Sequence, residues 1–285
     1  MSHASVLILT RNEEQDLPGA LASVSWSDDV HVFDSFSTDA TVSIAQGLGA
    51  KVSQRVFDNY AAHRNAALDQ VRFRHRWVLL LDADERCTRA LAEEVQQIAA
   101  LDDPTIAGYK LRRRDYFRNT WLRHAQISPW YVRLVRPERA RYAREINEVL
   151  EVAGAVGELS SPLNHYPFSK GMGHWLRKHD LYSTMEARLI VEGTGLRQPS
   201  WRQALWASDF HQRRQHQKAL FYRMPGRPMV KWLYMMLVRG AFLDGPAGWT
   251  YATLQAIYEY MIVLKTDELR DQASRGTDMV GRGEV

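Results

Sequence analysis

Trp77-Val78-Leu79-Leu80-Leu81-Asp82-Ala83-Asp84-Glu85 is an apolar run that stops on three carboxylates interrupted by a single alanine. A short apolar run bounded by polar residues fits a strand covered on both faces. Ligand sites of open α/β sheets lie at the carboxyl ends of such strands, so the acids stand where chemistry is expected. On a regular strand Asp82 and Asp84, two apart, send their side chains to one face and Ala83 to the other. Two close carboxylates repel unless something cationic sits between them. Oxygen ligands of this kind suit Mg²⁺ or Mn²⁺, which keep several waters and bind through one or two carboxylates plus substrate phosphates. The plainer alternative is a solvated strand end leading into a helix cap, because D-x-D by itself is a common pattern.

Outward from this run, the first half alternates short apolar segments with helical patterns, as a mostly parallel sheet requires. Ser5 to Leu9 reads as a first strand ending at Thr10-Arg11-Asn12-Glu13-Glu14, after which Leu17, Leu21 and Val24 recur at helical spacing. Val30 to Phe33 is a second strand ending at Asp34-Ser35-Phe36-Ser37-Thr38-Asp39-Ala40-Thr41. A helix from about Thr41 to Leu48 leads through Gly49 to a third strand near Lys51 to Gln54, and a helical segment from Tyr60 to Val71 carries Arg64 and Asn65. Four strand ends thus gather polar residues on one edge. Any one of them could be ordinary loop chemistry, since Ser, Thr and Asp cap helices and make turns.

With 285 residues, 45% of them hydrophobic, the chain can hold one large domain or two small ones. The single cysteine, Cys87, excludes an internal disulfide framework and suits a reducing compartment. The N-terminus Met1-Ser2-His3-Ala4 lacks the basic and apolar regions of a signal peptide, and no apolar run reaches the length of a spanning helix. The expectation is a protein on the cytoplasmic side. No G-x-G-x-x-G follows the first strand and no G-x-x-x-x-G-K-[ST] occurs anywhere, so neither glycine-rich solution to phosphate binding is used. The absence of H-E-x-x-H, paired C-x-x-C and G-x-S-x-G disfavours zinc hydrolysis and serine acyl transfer.

Thr10-Arg11-Asn12-Glu13, Asp34-Ser35-x-Ser37-Thr38-Asp39-x-Thr41, Arg64-Asn65-Ala66 and Leu81-Asp82-Ala83-Asp84-Glu85, in that order at successive strand ends, resemble the family 2 glycosyltransferases. The branch they resemble most contains lipopolysaccharide-core β-glucosyltransferase-like proteins. The resemblance covers roughly residues 4 to 185 closely and the remainder loosely. It implies an α/β chain with the A-type glycosyltransferase fold, a single nucleotide-binding, mostly parallel sheet flanked by helices. It also implies a nucleotide-sugar donor, a divalent metal and inversion at the anomeric carbon. Thr10, Arg11 and Glu13 match the loop beneath nucleobase and ribose, Asp34 and Ser37 the second nucleoside loop, Asp39 an acid that shapes it, and Arg64 and Asn65 a segment near the nucleotide. Asp82 and Asp84 match the D-x-D pair, the second meeting the metal and the first the sugar, the ribose or the metal.

Ile106 to Arg112 and Tyr131 to Val135 read as further strands, with Arg112-Arg113-Arg114 as a basic step that is more often a solvated face than a site. Arg144-Glu145-Ile146-Asn147-Glu148 resembles the family's short H-E segment, with Asn147 where histidine is commoner. The resemblance puts Glu148 at the catalytic base, with Glu145 and Asp115 as rivals. An inverting transfer needs one carboxylate to take the proton of the attacking hydroxyl. Asn164-His165-Tyr166-Pro167-Phe168-Ser169 and the segment Trp175 to Ser183 match a further signature, in which His165 approaches the metal or diphosphate. Lys178 and Tyr182, four apart on one helix face, would there hold phosphate oxygens.

From Arg197 to Arg239 nine Lys or Arg accompany one acid, Asp209, among many aromatics. Such a mixture marks nucleic acid or an anionic membrane surface. The apolar, aromatic-flanked stretches Trp232 to Val238 and Trp249 to Leu264 favour a membrane interface over nucleic acid, against the alternative of a helical subdomain packed on the sheet. The expected organisation is a catalytic domain over 1–195, a basic, aromatic helical extension over 196–265 and a polar, disordered tail over 266–285. The reading is a metal-dependent (Mg²⁺ or Mn²⁺) hexosyl transfer from a nucleotide sugar, UDP-sugars and UDP-glucose first, to a cell-envelope glycolipid at the inner face of the cytoplasmic membrane. The alternatives are a soluble or protein acceptor, a sugar-phosphate nucleotidyltransferase, and a non-catalytic nucleotide-sugar-binding module. The nucleotidyltransferase would want a glycine-rich anion loop that Thr10 to Glu14 does not supply.

Overall fold

Val6 and Ile8 alternate with Leu7 along the first strand, and Leu79 and Leu81 alternate with Val78 and Leu80 along the fourth, so both faces of these strands are apolar and both must be covered. The computed structural model, which describes residues 3–143, 149–193, 198, 200–206 and 210–280, meets that demand with helices on the two faces. The chain divides into two compact units, one of residues Met1–Trp121 and Ile127–Lys170, the other of Leu122–Gln126 and Gly171–Val285.

In the first unit the strands are β1 (Ala4–Thr10), β2 (Val30–Asp34), β3 (Lys51–Gln54), β4 (Trp77–Asp82), β5 (Glu85–Cys87), β6 (Ile106–Phe117), β7 (Thr120–Trp121), β8 (Trp130–Val135), β9 (Ala140–Ala143), β10 (Val149–Val152), β11 (Ala155–Glu158) and β12 (Leu163–His165). Its helices are α1 (Leu17–Ser23), α2 (Thr41–Gly47), α3 (Tyr60–Gln70) and α4 (Arg89–Leu101). The main sheet runs β3-β2-β1-β4-β8-β6-β12-β5, with β7 and β11 also pairing with β6, while β9 and β10 form a separate antiparallel pair. Strands β3, β2, β1 and β4 are parallel, and β8 enters antiparallel to β4 and β6.

One face buries Val6, Ile8, Leu79 and Leu81 with Leu17, Leu21, Leu91 and Val95, and the other buries Leu7, Phe33, Val78 and Leu80 with Leu68 and Val71. Local signals set the helix starts. Asn59 caps α3 by accepting from the Ala62 N–H, Thr88 caps α4 by accepting from the Leu91 N–H, and Pro18 opens α1. The strand order reverses direction between β1 and β4, and a crevice outside the carboxyl ends at such a point is where open α/β sheets bind ligands. Register places Thr10 beside Asp34 and Leu9 beside Asp82 there.

The opposite end of the parallel strands is tied by Asp29, which is fully buried. It accepts from the Ser5 hydroxyl at 2.6 Å, from the Arg74 N–H at 2.8 Å and from Lys51 at 2.6 Å, with His31 Nε2 at 2.9 Å. Burial works against its charge, but Lys51, Ser5 and Arg74 hold the carboxyl well below the usual carboxylate range.

The second unit is helical: α5 (Gly171–Glu192), α6 (Trp201–Trp206), α7 (Phe210–Phe221), α8 (Arg227–Leu233) and α9 (Gly245–Val280), with a π-helical turn over Tyr234–Val238 and a 3₁₀ turn over Ala241–Asp244. Helix α9 packs against α5 and α8. Buried Asp244 accepts from the His124 and Ala125 N–H groups at 2.9 and 2.7 Å, which draws the Leu122–Gln126 segment into this unit. Helix α9 continues past Thr266 into the polar tail, whose Glu268, Leu269, Arg270, Gln272 and Ala273 are good helix formers. Among the described residues no helix is long and apolar enough to cross a membrane.

Replacing Asp29 by alanine leaves the Ser5 hydroxyl and the Arg74 N–H without their acceptor, while the exposed Lys51 returns to water; the change is expected to destabilise the first unit by about 2–3 kcal/mol, read as a lower urea midpoint. Because the folded carboxyl is depressed, its contribution is present above pH ~4 and lost as the pH falls further. A loss under about 1 kcal/mol, within the range of an exposed pair, would contradict this assignment.

Candidate active site

Strand β4 ends at Asp82, and Ala83 and Asp84 form a turn into β5, so the two acids do not share a strand face as their spacing predicts. The turn is held from several sides. Arg86 donates to the carbonyls of Ala83 and Glu85, both at 2.8 Å, and the Tyr166 N–H donates to the Asp84 carbonyl at 2.9 Å. Glu85, fully buried, accepts from the Asp82 N–H at 2.9 Å.

The two acids therefore have different partners. Asp82, expected among the metal ligands, has both carboxylate oxygens in ion pairs, one with Arg64 at 3.1 Å and one with Arg133 at 2.7 Å. Burial opposes its charge, yet Arg133 and Arg64 hold it far below the ordinary carboxylate range. The same Arg133 nitrogen lies 2.7 Å from Glu85, and Arg113 approaches Glu85 at 3.4 Å. Burial raises the pKa of Glu85 and the arginines counter it. Asp84 instead meets His165 Nε2 at 3.3 Å, and His165 Nδ1 bonds buried Asp115 at 2.5 Å. The register explains this convergence, because β12 lies between β6 and β5 with His165 opposite Asp115 on one side and Glu85 on the other. Burial disfavours protonation of His165, but its bonds to Asp115 and Asp84 push its pKa up to about 9.

Among the described residues no three His, Cys, Asp or Glu side chains form a group that could hold a metal by themselves. Mg²⁺ and Mn²⁺ do not need one when substrate phosphates complete the shell. Asp84 and His165 fit such a two-donor arrangement. An imidazole whose far nitrogen is held by a buried carboxylate is the usual second-layer support of a metal-ligating histidine, and His165 Nε2 faces the Asp84 carboxylate at 3.3 Å. Asp82 does not fit, being neutralised by two guanidinium groups.

The neighbouring loops are locked to each other. Asp34, fully buried, accepts from Thr10 Oγ1 at 2.8 Å, from the Ser37 N–H at 2.8 Å, from the Ser37 hydroxyl at 2.5 Å and from Gln54 at 3.0 Å. Asp39 accepts from the Thr41 and Glu14 N–H groups, which bind the second loop to the first. Asn12 and Phe36 hold left-handed φ angles of 55° and 52°, a strained state for Phe36, whose ring stays exposed at the loop edge. Arg11 is exposed, 5.8 Å from the centre of the Phe57 ring. Asn65, expected near the nucleotide, has its amide taken up by the Tyr142 backbone in two hydrogen bonds of 2.9 and 2.8 Å.

Glu13 is paired with Lys170 at 2.6 Å, and Lys170 also donates to the Asn12 carbonyl at 2.8 Å. Burial is the main cause that lifts the Glu13 pKa from an ordinary 4.5 to about 7, Lys170 opposing it and the nearby Asp84 and Asp16 adding to it. Lys178 and Tyr182 lie on α5 in the second unit, with the Lys178 ammonium 5.7 Å from the centre of the Tyr182 ring. Glu148 and its rival Glu145 lie outside the described residues. Cys87 is buried, which pushes its thiol up to about 12 and leaves it inert.

Sequence reasoning missed Arg133, Phe36 and Lys170, and it saw Glu85 only as the third acid of the run, without its role in binding the Asp82 N–H and Arg133. Arg113 was legible only as one of three arginines. Strand alternation separates it from its neighbours, since Arg112 lies over Trp130 and Arg114 over Trp121.

The family model for Glycosyl transferase family 2 matches residues 5–157. The lipopolysaccharide core biosynthesis glycosyltransferase LpsC of Rhizobium meliloti (strain 1021) is 25% identical over 271 residues, 92% of this chain and 90% of that protein. The uncharacterized glycosyltransferase RP128 of Rickettsia prowazekii (strain Madrid E) is 36% identical over 206 residues, 67% of this chain and 69% of that one. Among solved structures, glucosyl-3-phosphoglycerate synthase from Mycobacterium tuberculosis in complex with Mn²⁺, UDP and glucosyl-3-phosphoglycerate is 23% identical with a TM-score of 0.34, covering 40% of this chain and 44% of that chain.

Glu13 gives the free protein a pH signature. The folded state holds this proton more tightly than the unfolded chain, so stability is greatest below pH 4.5 on this account and declines as the pH rises to about 7. The decline is on the order of 3 kcal/mol. Glu13→Gln is expected to flatten the slope in denaturation measured from pH 4.5 to 8, and an unaltered slope would show that Glu13 does not titrate there.

Proposed function

Given a chain that belongs to glycosyl transferase family 2, we propose that it moves a hexose, with inversion, from a nucleotide sugar to a hydroxyl of a cell-envelope glycolipid such as lipopolysaccharide core. The donor is a UDP-sugar, UDP-glucose first. The observation that carries this reading is the Asp84–His165–Asp115 chain at the switch point of the parallel strands, beside the interlocked Thr10 and Asp34 loops. The similarity to LpsC along nearly its full length supports the glycolipid acceptor.

In this reading the nucleoside lies on the Thr10–Glu13 and Asp34–Ser37 loops, with the exposed Phe36 ring available to a base. Asp84 and His165 would hold a divalent ion, which would supply positive charge where the leaving diphosphate becomes most negative. Arg64 and Arg133 keep Asp82 ionised and oriented, so that it can accept from sugar or ribose hydroxyls without needing the ion. Asp115 positions His165. That engagement supports Glu148 over Asp115 as the base. Glu148 takes the proton of the acceptor hydroxyl as its oxygen attacks the anomeric carbon, and the bond from that carbon to the diphosphate oxygen breaks on the opposite side.

The second unit supports peripheral attachment to the inner face of the cytoplasmic membrane. Leu237 and Val238, on the π-helical turn, are 70% and 72% exposed, and Phe242 and Leu243 on the next turn are exposed as well. Apolar side chains displayed on a basic unit suit the interface of an anionic bilayer.

A panel of nucleotide sugars with Mg²⁺ or Mn²⁺, scored by slow donor hydrolysis and by thermal stabilisation, tests the donor without needing the acceptor. UDP-glucose with metal is expected to raise the melting temperature, and no shift with any nucleotide would end the donor assignment. Glu148→Gln is expected to lower transfer by about 10²–10⁴-fold while leaving donor binding intact, and wild-type rates would remove Glu148 from the role. Asp84→Ala is expected to abolish the metal-dependent part of both stabilisation and turnover. Unchanged metal-dependent turnover would remove Asp84 from the metal role, and donor binding without any turnover in the wild type would mark a binding module.

A further inference from the structure

The second unit contains a cavity of about 770 Å³ walled by α5, the turn between α7 and α8, the start of α8, and α9. Its wall is mixed in a particular way. Ile190, Met224, Pro228, Met229 and Val263 are apolar, and Met229 and Tyr260 are more than half exposed at its mouth. Among them stand three arginines. Arg223 is exposed and has no ion-pair partner among the described residues, while Arg270 has Asp267 at 3.7 Å. Arg227 is buried, paired with buried Glu259 at 3.0 Å, and its Nη2 finds no acceptor among the described residues. The unit as a whole carries 17 Lys and Arg against 11 Asp and Glu, so the chain's net positive charge is concentrated in it.

We infer that this cavity binds one molecule of an anionic phospholipid, its phosphate on Arg223 at the rim and its acyl chain against Met229, Tyr260 and Val263. A purely apolar ligand would make no use of Arg223, whose exposed guanidinium stands at the lining, and a small anion leaves the methionine and valine walls wet. An anionic head on an apolar chain answers both demands, with charge-assisted bonds from guanidinium to phosphate and burial of the chain. The volume lies within the range of ordinary ligand cavities. A lipid drawn out of the bilayer into this cavity is a different event from the shallow interfacial contact of Leu237 and Val238, and the site owes nothing to the sugar-transfer reading.

The full chain, without nucleotide, is titrated calorimetrically with dihexanoyl phosphatidylglycerol below its micelle concentration, with dihexanoyl phosphatidylcholine and inorganic phosphate in parallel. The expected result is saturable single-site binding of the phosphatidylglycerol, weakened about tenfold or more when the charge complement is lost, either with phosphatidylcholine or in Arg223→Glu. Val263→Trp, which places a bulky ring where the acyl chain would lie, is expected to weaken binding about tenfold or more. Should that variant fold poorly by circular dichroism, the exposed Arg223→Glu decides alone. Equal binding of inorganic phosphate would reduce the site to a simple anion site, and equal binding of phosphatidylcholine would make it unselective. Either result, no saturable binding, or binding unchanged in the folded variants would overturn the proposal. Because no donor or transfer is measured, these outcomes are separate from success or failure of the glycosyltransferase reading.

Discussion

Carboxylates gathered at the buried end of a strand are tolerable only if cations arrive to meet them. Asp82, Asp84, Glu85 and Asp115 converge in the first unit, and Arg64, Arg113, Arg133 and protonated His165 answer them. Removing an ion from water costs several kcal/mol, and removing one partner of a buried pair strands the other. Arg133 is the most exacting member, since one of its nitrogens serves both Asp82 and Glu85. Its burial opposes its charge, but Asp82 and Glu85 raise its pKa further still. The cluster costs the fold stability and is compensated by order, because a side chain with two ion partners has few ways to stand.

That order divides the D-x-D pair into two jobs. With Asp82 paired to Arg64 and Arg133, Asp84 meets His165 instead, and the metal role proposed for the pair falls to Asp84. A tetrahedral cage of protein ligands would bind metal without a donor. A pair of donors needs phosphate oxygens to finish the shell, which couples metal affinity to donor affinity.

The parallel part of the sheet was legible because strands buried on both faces must be apolar throughout, and Ser5 to Leu9 and Trp77 to Leu81 could be little else. The interlocking of Thr10, Asp34, Ser37 and Asp39 was legible as polar strand ends. The turn after Asp82 was not, since a spacing of two looks the same on a strand and around a bend. Arg133 was invisible for a different reason: it sits in the apolar strand Trp130–Val135, 51 residues after the acid it neutralises, and nothing local records that pairing. Helix α9 runs to Val280 through the tail that its polarity marks as disordered, because Glu, Lys, Arg and Gln are strong helix formers.

The bonds that close the site span long loops of chain. His165 reaches back 50 residues to Asp115, and Lys170 reaches back 157 to Glu13. In a chain emerging from the ribosome, the acids of the fourth strand are made well before most of their counter-charges, and the early strands must wait beside a self-repelling edge. Long loop closures are slow to form. The last strand thus works as a fastener: until His165 arrives on it, Asp84 and Asp115 lack the imidazole that joins them, although Arg64, Arg113 and Arg133 are already in place for Asp82 and Glu85.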